Sequence, residues 1–182
     1  MSETERERLK ELLVALSLQR GEFTLSSGRT SGYYLDCRRT TLHPEGAWLV
    51  ARIVLDLLEE RQLDAQAIGG LTLGADPIVA AVAALSFQQG RPLPGFIVRS
   101  EQKAHGTRQR IEGCPVGGKR AVVVDDVVTT GGSTLEAIRA VMDAGGTVCG
   151  AICVVDREEG GAKALAGVPF HPVFKWSDLL GG

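Results

Sequence analysis

Long apolar runs, paired cysteines, clustered histidines and an excess of either charge are all missing from this 182-residue chain. The longest apolar stretch, Ile78 to Leu85, falls far short of the ~20 residues that span a bilayer. The N-terminal MSETERERLKELL alternates charges where a secretion signal needs an apolar core, so a soluble, cytoplasmic protein without a membrane partner is expected. Lys plus Arg is 20 against 22 for Asp plus Glu, a formal charge of -2. That balance lacks the global positive field of a general nucleic-acid binder, and no nucleic-acid partner is expected. Four cysteines form no CxxC pair and three histidines stand singly, which indicates neither a zinc site nor a disulfide framework. Cys149 and Cys153, four apart in an apolar run, are expected on one face of a strand as packed thiols. What the chain does have is 44% hydrophobic side chains, enough for one packed domain, and 23 glycines, well above the usual ~7%.

The elements alternate along the chain. Thr4 and Glu7 have the spacing of a capping box, Leu9, Leu12, Leu13 and Leu16 recur at helical spacing, and Gly21 supplies a stop. Two extended pieces, Glu22 to Ser26 and Gly32 to Cys37, read as a hairpin or hood joined by Ser27, Gly28 and Arg29. Pro44 suits the start of a helix running to about Arg61. A strand at Ala67 to Gly70 and a helix opening at Asp76-Pro77 follow. Beyond them the same rhythm predicts strands at Gly95 to Arg99, Arg120 to Asp125, Thr147 to Val155 and Phe170 to Phe174. Helices separate these strands, the clearest at Ser133 to Ala144. Strands separated by helices imply an α/β fold with a parallel sheet, and ligands there bind beyond the carboxyl ends of the strands.

Three strand ends carry chemistry. In Val122-Val-Val-Asp-Asp-Val-Val-Thr-Thr-Gly-Gly-Ser-Thr134 a buried strand ends in two acids and passes through a hydroxyl- and glycine-rich turn into a helix. Amides of Thr129, Thr130, Gly131, Gly132 and Ser133 would converge on an anion, with Thr134 among the added hydroxyl donors. Asp125 and Asp126 are placed to accept from the vicinal hydroxyls of a ribose. The motif asks for a ribose phosphate. The second segment, Arg99 to Arg110, holds five potential cations with one apolar residue, Ala104, and reads as a lid or as a solvated charged loop. The third, Gly69 to Pro77, can present amides to a second anion, though any strand-to-helix turn looks similar. Gly113-Cys-Pro-Val-Gly-Gly-Lys-Arg120 matches GxxxxGK, but Arg120 stands where a nucleoside-triphosphate loop needs Ser or Thr, so a plain turn is expected.

Asp125-Asp-Val-Val-Thr-Thr-Gly-Gly-Ser133 resembles the 5-phosphoribosyl-1-pyrophosphate (PRPP) motif of type I phosphoribosyltransferases. Phe23-Thr-Leu-Ser-Ser-Gly-Arg-Thr-Ser-Gly-Tyr-Tyr-Leu-Asp36, Lys103-Ala-His-Gly-Thr107 with Ile111-Glu-Gly113, and Asp156-Arg157 narrow the likeness to the orotate phosphoribosyltransferases. The resemblance implies a single domain over residues 1–182, with a mainly parallel sheet flanked by helices. A hood would come mainly from the first forty or so residues with the C-terminal segment. It further implies transfer of phosphoribose from PRPP to N1 of orotate, giving orotidine 5'-monophosphate and pyrophosphate in pyrimidine biosynthesis. Mg2+ would be bound mainly through PRPP, with no dedicated protein metal ligands.

By the same resemblance, Thr129 to Ser133 hold the 5-phosphate, Val127 and Val128 are among the substrate-binding residues, and Asp125 and Asp126 address the ribose. Leu71, Thr72, Leu73 and Gly74 lie near the pyrophosphate. Phe23, Thr24, Ser26, Ser27, Tyr33, Tyr34 and Arg157 define the base pocket. For Arg157 alone, an ion pair with Glu158 or Glu159 would be the default. A homodimer is implied in which Arg99, Lys103 and His105 of one subunit reach over the partner's site. The chain departs from many members at Ser26, Ser100 and Gly74, where they carry lysine. Alternatives are a same-fold enzyme for another base, against which the hood and Arg157 argue, or a PRPP-sensing regulator that binds nucleic acid, for which the net charge is unhelpful.

Overall fold

The computed structural model describes residues 2–24, 30–100 and 110–181. Helix α1 (Glu3–Leu12) is capped by Ser2, whose hydroxyl accepts from the Glu5 N–H at 3.4 Å, so the cap lies two residues before the expected Thr4. Leu9, Leu12 and Leu13 are buried as their spacing predicts. Gly21 is not the helix stop. The helix widens into a π turn over Leu13–Ser17, and strand β1 (Leu18–Thr24) already contains Gly21. Strand β2 (Thr30–Leu35) pairs with β1 antiparallel, with a register slip between Arg20 and Phe23. The hood hairpin is therefore real among the described residues, and its first strand starts earlier than the aromatic pattern suggests.

After the short α2 (Arg38–Thr41) come α3 (Pro44–Glu60), β3 (Ala67–Leu71), α4 (Ala75–Gln88), β4 (Gly95–Val98), β5 (Ile111–Gly113), β6 (Arg120–Val128), α5 (Gly132–Asp143), β7 (Thr147–Asp156), α6 (Gly161–Ala164), β8 (Phe170–Lys175) and α7 (Trp176–Leu180). The large sheet runs β5-β4-β3-β6-β7-β8, parallel except for β5. Successive residues of β6 face opposite layers: Val122 and Val124 join the core under α1, α3 and α4, while Ala121 and Val123 join the core under α5. Burial on both faces is why this strand reads as an unbroken apolar run. The chain moves outward from β3 to β4 on one side and from β6 to β8 on the other. The order reverses between β3 and β6, and a doubly wound sheet opens its ligand crevice at that point.

One further expectation needs correction. Cys149 and Cys153 pack into opposite core layers. The β6–β7 register jumps from Ala121 opposite Val148 to Val122 opposite Gly150, so Cys149 is an extra residue that inverts the alternation. Strand β5, and α7 after it, were not foreseen; both are too short to carry a period. The GxxxxGK segment is a turn, closed by the Lys119 N–H on the Val116 carbonyl at 2.9 Å. No helix among the described residues is long and apolar enough to cross a membrane.

Candidate active site

Strand β6 carries the acids further than expected, remaining paired to β7 through Val128. Asp125 is only 6% exposed. Its carboxylate accepts from the Thr134 hydroxyl at 3.0 Å and from the Asp126 N–H at 3.0 Å, and Asp126 in turn accepts from the Val127 N–H at 2.9 Å. Thr134 is thus turned inward to hold Asp125 and is not an outward donor to an anion. Burial, with the neighbouring Asp126 charge, pushes Asp125 up to about 7. Burial also raises Asp126, opposed by the Val127 N–H and by the Arg38 guanidinium.

The chain then turns through Thr129 and Thr130, both exposed, to Gly131, whose φ of 84° is a left-handed conformation that disfavours any side chain. Gly131 caps α5, so the exposed Gly132 and Ser133 lie in its first turn, where amides lack intrahelical partners and the helix dipole is positive. Across the crevice, the turn after β3 comes close to the acids. A Cβ on Gly74 would sit 2.3 Å from Asp126 Oδ1 and 3.1 Å from Asp125 Oδ1, so any side chain there requires the Asp126 carboxylate to shift. Thr72 donates its hydroxyl to Asp76 at 2.7 Å, Leu73 is 65% exposed, and the peptide between Thr72 and Leu73 is cis.

Arg157 follows β7 directly, its N–H bonded to the Val128 carbonyl at 2.8 Å, which sets it beside the phosphate-type turn. Its guanidinium lies 3.4 Å from Glu159, the default partner, and 3.9 Å from the centroid of the Trp176 ring. Trp176 meets Tyr33 edge-on at 6.0 Å, Arg20 lies 6.0 Å from the Tyr33 ring, and Phe23 and Tyr34 are 5.6 Å apart. Contacts from Arg20 through Tyr33 and Trp176 to Arg157 thus join the hood to the end of β7, with Phe23 and Tyr34 as a separate pair.

A family model described as a phosphoribosyl transferase domain matches residues 49–171. The orotate phosphoribosyltransferase of Mycobacterium avium (strain 104) is 45% identical over 181 residues, 98% of each chain. This chain belongs to the orotate phosphoribosyltransferase family. The family's enzyme from Mycobacterium tuberculosis H37Rv, solved with Fe(III) dicitrate, superposes with a TM-score of 0.86 at 44% identity, covering 97% of this chain and 99% of that one. The same enzyme solved with PRPP gives a TM-score of 0.81 at 42% identity, covering 96% and 98%. The fold is that of the type I phosphoribosyltransferases.

Within this orotate phosphoribosyltransferase scaffold, the structure brings Gly74 against Asp125 and Asp126, sets Arg157 beside the end of β6, and links Arg157 through Trp176 to Tyr33 of the hood, where Phe23 packs on Tyr34. Thr24 ends β1, and only its backbone is described. Arg99 stands at the root of the lid segment: its N–H bonds the Arg110 carbonyl at 2.9 Å and its side chain lies 3.6 Å from Glu112. Ser26, Ser27, Lys103 and His105 lie outside the described residues. Two contacts extend this grouping: Thr134 holds Asp125, and Trp176 covers Arg157. Nothing local in the sequence marks Trp176, because its partner lies nineteen residues earlier, past another strand.

Proposed function

We propose that this chain transfers the phosphoribosyl group of PRPP to N1 of orotate, releasing pyrophosphate and forming orotidine 5'-monophosphate. The observation that supports it most is the acid pair at the end of β6, which leads into an open, amide-rich helix start and faces Gly74 across the β3–β6 crevice. Thr129 to Ser133 would hold the 5-phosphate, and Asp125 and Asp126 the ribose hydroxyls. The turn Leu71 to Gly74 would take the pyrophosphate. Tyr33, Tyr34, Phe23 and Arg157 would take the base, with Thr24, Ser26 and Ser27 from the hood turn.

The acids and carbonyls of this crevice are oxygen donors suited to a hard dication. Among the described residues, however, no group of three or more His, Cys, Asp or Glu could hold one. A magnesium ion would be carried in on PRPP and held mainly by it, with the carboxylates of Asp125 and Asp126 as the oxygen donors this chain offers nearby. Bound there, magnesium would offset charge on the departing pyrophosphate.

In the transfer, the bond from the anomeric carbon to pyrophosphate breaks ahead of bond formation and leaves an oxocarbenium-like ribose. Orotate supplies its own nucleophilic nitrogen, so no covalent protein nucleophile is needed. The protein's task is to align two anions and stabilise the leaving one, with Lys103, His105 and Arg99 closing over it. A homodimer would supply these lid residues across the interface. An open groove of about 560 Å³ beside the pyrophosphate turn, lined by the exposed Leu42 and Leu73 with Arg38 and Pro77, supports a second copy docking there.

The test is orotate consumption followed by ultraviolet absorbance. Loss of orotate should require PRPP and magnesium together. Lys103→Ala should lower turnover far more than it weakens orotate binding. Folded protein that consumes no orotate under these conditions overturns the reading.

A further inference from the structure

Arg157 is held in an unusual way for a nine-tenths buried cation. Its side chain is 10% exposed, its Nε is buried without a hydrogen-bond partner, and Glu159 at 3.4 Å engages Nη2. Its guanidinium carbon lies over the indole ring of Trp176, 3.9 Å from the ring centroid. An indole attracts a cation without using any of its N–H donors. The Nε donor is left unused, and a planar carboxylate takes guanidinium donors side-on.

The structure fixes the indole as firmly as the cation. Helix α7 begins at Trp176, is capped by Asp178 on the Lys175 N–H at 2.9 Å, and buries Leu179 in the core. Glu158, next to Arg157 in the chain, accepts from the Ser177 N–H at 2.9 Å. Adjacent residues thus clasp the same helix, Arg157 by stacking and Glu158 by hydrogen bonding. Tyr33 of the hood meets the indole edge-on at 6.0 Å.

We propose that Trp176 is a positioning residue that orients Arg157 toward the carboxylate of the acceptor base, and that it thereby sets the preference for a carboxylated over an uncarboxylated pyrimidine. This rests on the reaction proposed above. No step of bond making passes through Trp176; its effect is confined to the pose of the guanidinium.

The experiment compares steady-state kinetics of the wild type with Trp176→Leu, Trp176→Phe, and Trp176→Leu made on Arg157→Lys. Leucine keeps apolar bulk and removes the π face, so a role in packing alone is separated from stacking. Trp176→Leu is expected to raise the KM for orotate about tenfold, leaving kcat and the KM for PRPP within about twofold. Phenylalanine should restore most of the loss, and the Leu change should add little once Arg157 is lysine. The orotate-over-uracil preference should shrink in step. An unchanged orotate KM in Trp176→Leu, or equal rises in both KM values, overturns the role of Trp176 while leaving the reaction standing. A wild type that consumes no orotate removes the reaction and this proposal together. Should the Leu variant fail to fold, a Trp176→Phe enzyme whose orotate KM rises as far as that of Arg157→Lys also overturns it.

Discussion

At the phosphate end of the crevice, Asp125 to Thr134 form one continuous stretch of chain, locked between β6 and α5 by backbone geometry and one buried hydroxyl. At the base end, Tyr33, Arg157 and Trp176 come from three separate segments and meet only through ring faces and edges. The first end is built from amides, whose positions follow from the path of the main chain. The second is built from side chains, whose positions follow from how distant elements pack. Damage should therefore spread differently at the two ends: backbone changes at the first, side-chain changes at the second.

The largest effect is expected from Gly74→Val. A Cβ there lies 2.3 Å from Asp126 Oδ1, so the Asp126 carboxylate or the pyrophosphate turn must give way, and a β-branched side chain leaves the least room for either. A fall in kcat/KM for PRPP of at least about 100-fold is expected. Steady-state kinetics would show it, and a variant with normal PRPP kinetics would mean that the turn tolerates displacement. Arg157→Ala strikes the other end. It should raise the KM for orotate about 50-fold and barely move that for PRPP. Equal changes in both would erase the proposed division between the ends.

A smaller effect concerns pH. Asp125 is pushed up to about 7, mainly by burial and then by Asp126. A carboxyl raised in the folded state binds its proton more tightly there than in the unfolded chain. Its contribution is thus fully present below the ordinary carboxylate range and is lost as pH rises toward about 7. Urea unfolding of the unliganded protein should show stability falling over that window, and Asp125→Asn should flatten the slope, gaining about 1–3 kcal/mol at pH 8. A wild type that grows more stable from pH 5 to 8 while Asp125→Asn shows the same rise would contradict the assignment. The smallest change is Tyr34→Ala. Tyr34 is 39% exposed and touches Phe23 across 5.6 Å, so a rise of about threefold in orotate KM is expected.

The same contrast explains which parts of the molecule were legible beforehand. The turn after β6 could be read because two acids, hydroxyls and glycines stand in an unbroken run after an apolar strand. Their proximity in space is already their proximity in sequence. Thr134 shows the limit of such reading. A hydroxyl at a helix start looks like one more anion donor, and only the depth of that position turns it onto Asp125 at 3.0 Å. Cys149 shows another. Alternation along β7 assigns it the face of Cys153 until a single extra residue reverses the count. Gly21 looked like a helix stop and lies inside a strand, because the π turn over Leu13–Ser17 ends α1 without it.

By itself, the sequence determined the alternation of strands and helices, the apolar central strands, the ribose-phosphate motif and the family likeness. These depend on periodicity and on residues that are neighbours in the chain. Tertiary structure alone decided the sheet order that opens a crevice between β3 and β6, and the approach of Gly74 to the acids. It also decided the stacking of Trp176 on Arg157. Each of those contacts joins residues that no local pattern relates, and they form only when burial of both faces of the sheet fixes how the layers meet.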